Sequence, residues 1–277
     1  MIRILVISFL LPAFAAAQES KVLDKEIIHS KILSMDRNYA VYLPAGYESS
    51  NRSYPVLYLL HGGGVNHTGW LQQGEIQFIA DKAIKEGLCT PMIIVTPDAY
   101  TLRRGYYQNK ENWLYEDFFF QEFIPHVEKT YRIRNEKQFR AISGFSIGGK
   151  ASFTYALHHP EIFGSSCPLS AATDRANAPR EHTATPGEDK LSPYFKENNI
   201  IDLINAIPDS LKNAVRWYID CGDDDFLFET NTLVRAAMVK AGIKNEFRVR
   251  DGAHTWAYWR SAMPAILEFI SAGFRGD

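Results

Sequence analysis

The sequence is poor in cysteine: its three thiols, Cys89, Cys167 and Cys221, are an odd number and do not suggest a disulfide framework. Two of them lie in apolar, strand-like segments, where a small buried thiol needs no further role. The chain also lacks a basic excess, since its formal net charge is −2, and the electrostatic signature of a nucleic-acid-binding protein is therefore missing. We predict no disulfide framework, no metal site, no cofactor and no nucleic-acid partner.

Hydrophobic runs of membrane-spanning length are also missing, because a spanning helix needs about 20 apolar residues. The apolar run at residues 4–14 is shorter, follows the basic start Met1-Ile2-Arg3 and precedes three alanines at 15–17. Such a pattern is typical of a secretory signal peptide. We predict cleavage after Ala17 and a secreted or periplasmic protein without a membrane span.

The remaining chain alternates between strand-like and helix-like segments. Apolar, strand-like segments occur at 27–35, 39–43, 56–60, 92–96, 139–143, 166–169, 215–221 and 246–249, and helical patterns at 77–86, 116–130, 150–157, 230–240 and 262–271. This alternation predicts a single α/β domain over residues 18–277, with a mostly parallel sheet, helices on both faces and an antiparallel N-terminal edge. Residues 171–208 carry four prolines and little periodicity, and we interpret them as an insertion over the carboxyl ends of the strands.

Residues 144–149, Gly-Phe-Ser-Ile-Gly-Gly, contain a Gly-x-Ser-x-Gly pattern between a strand-like and a helix-like segment. A sharp strand-to-helix turn presents a serine hydroxyl to a base, and flanking glycines permit such a turn. Ser146 is therefore the candidate nucleophile. The backbone N–H of Ile147, at the start of the following helix, is a candidate donor to an oxyanion. Residues 61–64, His-Gly-Gly-Gly, follow a buried strand and form the type of turn that supplies a second donor, with His61 orienting the loop.

A base and an acid should follow the nucleophile in the chain. His254 lies in a loop between a strand and the last helix, which is where a base belongs in this arrangement. The alternative, His182, lies in the irregular insertion. For the acid, the loop after the strand at 215–221 offers Asp223, Asp224 and Asp225, and the residues alone do not choose among them.

Together, residues 61–64, 144–149, 222–227 and 252–256 resemble the esterase D and feruloyl esterase group, carbohydrate esterase family 1. The resemblance spans about residues 28–270 and implies an α/β-hydrolase fold. It also implies that Asp225 is the acid, and that the backbone donors of the oxyanion hole are Gly63 and Ile147.

The expected function is a secreted serine carboxylic-ester hydrolase that releases ferulic or related acyl groups from plant polysaccharides, through a Ser146–His254–Asp225 triad. The expected partner is a small-molecule or polysaccharide ester, and Trp256, Tyr100 and Trp70 are the candidate substrate contacts. Alternatives are an acetyl-xylan or siderophore esterase of the same fold, and a non-catalytic binding protein on a hydrolase fold. The second of these would be expected to lack a member of the triad, and none is missing here.

Overall fold

A computed structural model describes residues 19–99, 106–110, 112–173 and 198–276 of the chain. Its strands are β1 (Lys21–Ser30), β2 (Met35–Leu43), β3 (Val56–Leu60), β4 (Ile93–Pro97), β5 (Asn109–Lys110), β6 (Trp113–Leu114), β7 (Arg140–Phe145), β8 (Ser165–Leu169), β9 (Arg216–Gly222) and β10 (Asn245–Arg250). Eight of them form one sheet in the order β1-β2-β4-β3-β7-β8-β9-β10, while β5 and β6 pair with each other.

The sheet is parallel from β4 through β3 to β10, and β2 is antiparallel to both β1 and β4. The predicted fold class is therefore confirmed, including the antiparallel N-terminal edge. The central strands are buried on both faces, because every residue of β3 and β4 is buried.

Helices cover both faces of the sheet. They are α1 (Gly69–Gln72), α2 (Ile76–Lys85), α3 (Tyr115–Phe118), α4 (Ile124–Thr130), α5 (Ile147–His158), α6 (Ile200–Ala206), α7 (Phe228–Lys240) and α8 (Trp256–Arg275). Alternate residues of β3 enter different cores: Val56, Tyr58 and Leu60 pack with α3 to α7, whereas Leu57 and Leu59 pack with α2 and α8. Two apolar cores therefore hold the sheet between them. No helix in the described ranges combines the length and apolar character needed to cross a membrane.

Three sequence predictions about element boundaries need correction. The predicted strand 27–35 is interrupted by a turn at residues 31–34, where Ser30 Oγ donates a hydrogen bond to Glu122 at 2.6 Å. The predicted helix 116–130 contains a π-helical turn at Phe119–Phe123 between α3 and α4. The last helix begins at Trp256, six residues before the predicted start, because Thr255 caps its N-terminus by accepting a hydrogen bond from the Tyr258 amide.

The insertion predicted at 171–208 is described only at its two ends, residues 171–173 and 198–208, and the second end contains α6. Residues 174–197 and the predicted signal peptide at 1–17 lie outside the described residues.

The order of the strands places the candidate site. The chain passes from β3 to β4 on one side and then crosses to β7 on the other side of β3. In open α/β sheets, ligands bind outside the carboxyl ends of the strands where the order reverses in this way. Both the loop at 61–64 and Ser146 follow strands that border this point.

Candidate active site

Ser146 occupies a sharp turn between β7 and α5, with φ 57° and ψ −117°. A non-glycine residue at such angles is strained and persists only where its surroundings hold it. The Ser146 amide donates to the carbonyl oxygens of Leu169 at 3.0 Å and Ser170 at 3.1 Å, while the Ser146 carbonyl accepts from the Ala172 amide at 2.9 Å. The end of β8 therefore fixes the backbone of the candidate nucleophile.

Glycines on both sides of Ser146 let neighbouring backbones approach closely. A Cβ added at Gly148 would lie 2.6 Å from the His61 carbonyl oxygen and 2.7 Å from that of Leu60. A Cβ at Gly144 would lie 2.7 Å from the Gly148 backbone. Because these neighbours are backbone atoms rather than flexible side chains, the motif needs glycine at both positions.

The two residues expected to supply the oxyanion donors, Gly63 and Ile147, are close in space. Gly63 is exposed, and a Cβ built on it would lie 3.2 Å from Cδ1 of Ile147. Ile147 is the first residue of α5, where the helix dipole favours negative charge. Among the described residues, neither amide donates a backbone hydrogen bond that would occupy it. Gly63 therefore lies against the side chain of Ile147, the residue that follows Ser146.

His61 is fully buried behind this loop and is kept in one tautomer. Its Nδ1 donates to the Gly62 carbonyl at 2.8 Å, and its Nε2 accepts from the Ala99 amide at 3.0 Å. Both nitrogens are thus occupied by backbone groups, which fix the orientation of the ring. This agrees with the prediction that His61 orients the loop.

His254 and Asp225 form a hydrogen-bonded pair at the ends of two neighbouring strands. Nδ1 of His254 lies 2.8 Å from Oδ2 of Asp225, whose side chain is fully buried, while the His254 side chain is 18% exposed. Oδ1 of Asp225 accepts from the Leu227 amide at 2.9 Å. With the Nδ1 proton donated to the carboxylate, Nε2 of His254 is left to act as a base.

The alternative acids, Asp223 and Asp224, are both exposed. Asp223 instead accepts a hydrogen bond from the Gly252 amide at 3.1 Å. Asp251 is exposed as well, and carboxylate oxygens of these three aspartates lie within 4.8 Å of one another. Exposed acidic groups of this kind are common on proteins without a bound ion. The structure therefore pairs the imidazole with Asp225 alone among these acids.

The chain is similar to known esterases in both sequence and fold. Residues 30–270 match the Esterase family, described as "Putative esterase". The chain belongs to this esterase family. It is 30% identical over 242 residues to an endo-1,4-beta-xylanase/feruloyl esterase of Xylanibacter ruminicola, covering 83% of this chain and 28% of that protein. It is 23% identical to an acetyl esterase of Caldicellulosiruptor saccharolyticus, covering 91% of this chain and 95% of that protein.

A solved ferulic acid esterase superposes with a TM-score of 0.85 at 35% identity, covering 92% of this chain and 99% of that one. The chain therefore has the α/β-hydrolase fold of these esterases. The chain spans only about 28% and 27% of the length of the first two curated relatives that it matches. Those relatives are therefore longer proteins in which this esterase domain is one part.

The predicted aromatic contacts have different outcomes. Trp70 is fully buried, and its Nε1 donates to the Leu60 carbonyl at 3.0 Å. A ring with no exposed surface cannot stack on a substrate, so the prediction that Trp70 contacts the substrate is wrong. Trp70 instead stabilises the end of β3. Trp256 is half-buried and packs edge-on against Trp70 and Phe145 at centroid distances of 5.4 and 4.7 Å. Tyr100 lies outside the described residues.

Trp259 packs against the candidate base, His254, and was not singled out from the sequence. It is buried, stacks on Phe145 at 3.9 Å and meets the His254 ring at 5.0 Å in a perpendicular arrangement. Its Nε1 donates to Ser170 Oγ at 3.1 Å. The helical spacing from Trp256, three residues earlier, was the available sequence signal for a second tryptophan near the site.

A buried carboxylate also fixes the loop that carries His254. Asp220 accepts a hydrogen bond from Tyr258 Oη at 2.5 Å and forms an ion pair with Arg250. Arg250 ends β10 and Tyr258 lies in α8, so the two partners flank residues 251–255. Burial raises the pKa of Asp220, against the opposing effect of the Tyr258 and Arg250 contacts. Both ends of the loop that carries His254 are therefore tied to one carboxylate in β9.

Proposed function

We propose that this protein is a secreted serine carboxylic-ester hydrolase that releases ferulic or related acyl groups from plant polysaccharides through Ser146, His254 and Asp225. The observation that carries the proposal is the 2.8 Å contact between His254 Nδ1 and the buried Asp225, on a chain whose Ser146 occupies the strained turn. Membership in the esterase family supports the reaction class. The ferulic acid esterase superposing at TM-score 0.85 supports the acyl group, and the pattern in residues 1–17 supports secretion.

The reaction proceeds in two steps that share one set of groups. In the first, Ser146 Oγ forms a bond to the ester carbonyl carbon while His254 Nε2 takes the hydroxyl proton. The Gly63 and Ile147 amides stabilise the negative charge that develops on the carbonyl oxygen, each contributing about 3 kcal/mol to the transition state. The carbon–oxygen bond to the alcohol then breaks, and the alcohol oxygen leaves with the proton from Nε2.

The second step releases the acid. Water attacks the acyl carbon as His254 takes one of its protons, and the bond to Ser146 Oγ breaks with return of that proton to the serine. Asp225 does not change its own protonation; it keeps the Nδ1–H tautomer and stabilises the imidazolium that forms twice in the cycle.

Replacement of the nucleophile tests this mechanism. Ser146→Ala removes the bond-forming atom, and we expect kcat on methyl ferulate to fall by about 10⁴-fold or more. The matched control is Ser53→Ala, at an exposed position before β3, which should leave kcat unchanged. A fluorophosphonate probe should label the wild-type protein and the control but not the Ser146 variant. Near-normal hydrolysis by folded Ser146→Ala protein would refute the assignment.

An acetyl ester is the second candidate substrate, because the acetyl esterase relative matches over 95% of its own length. Comparing kcat/KM on methyl ferulate and acetylated xylan separates the two. A preference for acetylated xylan would replace the feruloyl proposal while leaving the triad in place.

A further inference from the structure

Phe226 stands out in the loop that carries the candidate acid. Its side chain is 57% exposed, although the residues on either side, Asp225 and Leu227, are both buried. Such exposure of a large apolar ring leaves a hydrophobic face in contact with water. The packing of the loop itself does not require an aromatic residue at this position.

The ring of Phe226 contacts the candidate base. Its centroid lies 4.7 Å from that of His254, at an interplanar angle of 54°. His254 is already oriented from two other directions, by the hydrogen bond to Asp225 and by the buried ring of Trp259. Of the two aromatic rings that contact the imidazole within the described part of the chain, Phe226 is the one that reaches solvent.

The chemistry of the reaction determines which part of an ester lies there. The base must deliver its proton to the oxygen of the departing alcohol, so that oxygen lies within hydrogen-bonding distance of the imidazole. The carbonyl oxygen, in contrast, is directed to the amides of Gly63 and Ile147. A ring packed against His254 consequently borders the alcohol portion of the ester rather than its carbonyl group.

We propose that Phe226 is a specificity-determining residue that stacks on the sugar ring bearing the ester. The apolar C–H face of a sugar and the face of an aromatic ring are complementary surfaces, and Phe226 offers such a face beside the leaving-group oxygen. This inference rests on the proposed function of the same site and adds to it the side on which the alcohol binds.

The test compares two feruloyl esters that differ only in the alcohol: methyl ferulate and a feruloylated xylo-oligosaccharide. For Phe226→Ala we expect KM on the sugar ester to rise about tenfold, as loss of one stacking contact implies, with kcat/KM on methyl ferulate changed less than about twofold. Phe226→Trp, which keeps an aromatic face, should restore KM on the sugar ester. Phe78→Ala is the matched control, because Phe78 is another exposed phenylalanine, 70% exposed on α2.

An equal fall in kcat on both esters would overturn the inference, since it would mean that Phe226 only holds His254 in place. Unchanged kinetics on both esters would also overturn it, because the ring would then touch no substrate. Failure of the proposed function is visible separately in the wild-type protein: if the wild-type protein cleaves neither feruloyl ester, the proposed function and this inference fall together.

Discussion

The two halves of the candidate site are held by different kinds of interaction. The nucleophile half, formed by Ser146 and the glycines around it, is fixed by backbone contacts. Ser146 forms backbone hydrogen bonds to the end of β8, and a Cβ added at Gly148 would collide with the carbonyl oxygens of Leu60 and His61. The base half, formed by Asp225 and His254, is fixed by side-chain hydrogen bonds and packed rings. A substitution in the nucleophile half must therefore displace backbone, whereas a substitution in the base half can remove a single side-chain contact and leave the backbone in place.

The first prediction tests the rigidity of the nucleophile half and has the largest expected effect. Gly148→Ala places a Cβ 2.6 Å from the His61 carbonyl oxygen, so β3 and α5 must separate. We expect the free energy of unfolding, measured with urea, to fall by more than about 4 kcal/mol, with loss of activity.

Gly242→Ala provides the control for the Gly148 variant. Gly242 also carries a turn, at φ 76°, but open space surrounds its Cβ position. Only the left-handed backbone is then penalised, by about 1 kcal/mol. Wild-type stability in Gly148→Ala protein would show that the nucleophile half is as adaptable as the base half.

The second prediction concerns the base half, where function should be lost without loss of the fold. Asp225→Asn keeps the size of the side chain and an oxygen for the Leu227 amide, but it no longer enforces the Nδ1–H tautomer of His254. We expect kcat to fall by about 10³- to 10⁴-fold with an unchanged circular dichroism spectrum. Asp223→Asn, in the same loop but exposed, should retain wild-type kcat. A normal kcat in the Asp225 variant would remove Asp225 from the triad.

The third prediction concerns the C-terminal end of α5, the helix that follows Ser146. This end is held by a side-chain contact, whereas the N-terminal end is held by backbone contacts. Oε1 of Glu116 lies 2.8 Å from His158 Nδ1 and 3.3 Å from His159 Nε2. Burial raises the pKa of Glu116, but the hydrogen bonds from the two histidines outweigh it and hold the pKa below its usual 4.5. Because the folded state favours the charged carboxylate, this contribution is present above pH 4.5 and is lost as the pH falls through the lowered pKa.

We therefore expect Glu116→Gln to lower the free energy of unfolding by about 1–2 kcal/mol at pH 7, with the difference from wild type shrinking below pH 4.5. The kcat at pH 7 should stay unchanged, since Ser146 is positioned at the opposite end of α5. Glu161→Gln serves as the control, because Glu161 is exposed and contacts His159 only at 3.7 Å. A large fall in kcat would show that the nucleophile half depends on side-chain contacts after all.

The same contrast explains how much the sequence could predict. The sheet, its antiparallel edge and the positions of Ser146 and of the loop at 61–64 followed from strand patterns and glycines, because backbone constraints leave a direct mark on residue type. The pairing of Asp225 with His254 required the resemblance to a family, because three neighbouring aspartates satisfy the same local pattern.

Features that depend on tertiary contacts escaped prediction. Asp220 acts from β9 on the loop at 251–255 through Arg250 and Tyr258, and its sequence neighbours do not indicate these partners. For Trp259, the helical spacing from Trp256 is the one local signal, and it does not indicate the contact with His254. Trp70 was misassigned for the same reason, since a tryptophan near a strand end has the same sequence pattern whether it is buried or exposed. The turn at 31–34 was missed because the apolar pattern continues through it, while the contact of Ser30 with Glu122 joins residues far apart in the chain.

The backbone angles of Ser146 have a consequence for engineering this protein. At φ 57° and ψ −117°, an L-amino acid occupies the mirror image of an extended conformation, at a cost of about 1–3 kcal/mol, whereas glycine tolerates such angles readily. Directed evolution that selects for heat resistance alone would therefore favour glycine at position 146, where it abolishes the proposed chemistry. Thermostable variants of this protein should be selected for turnover and melting temperature together.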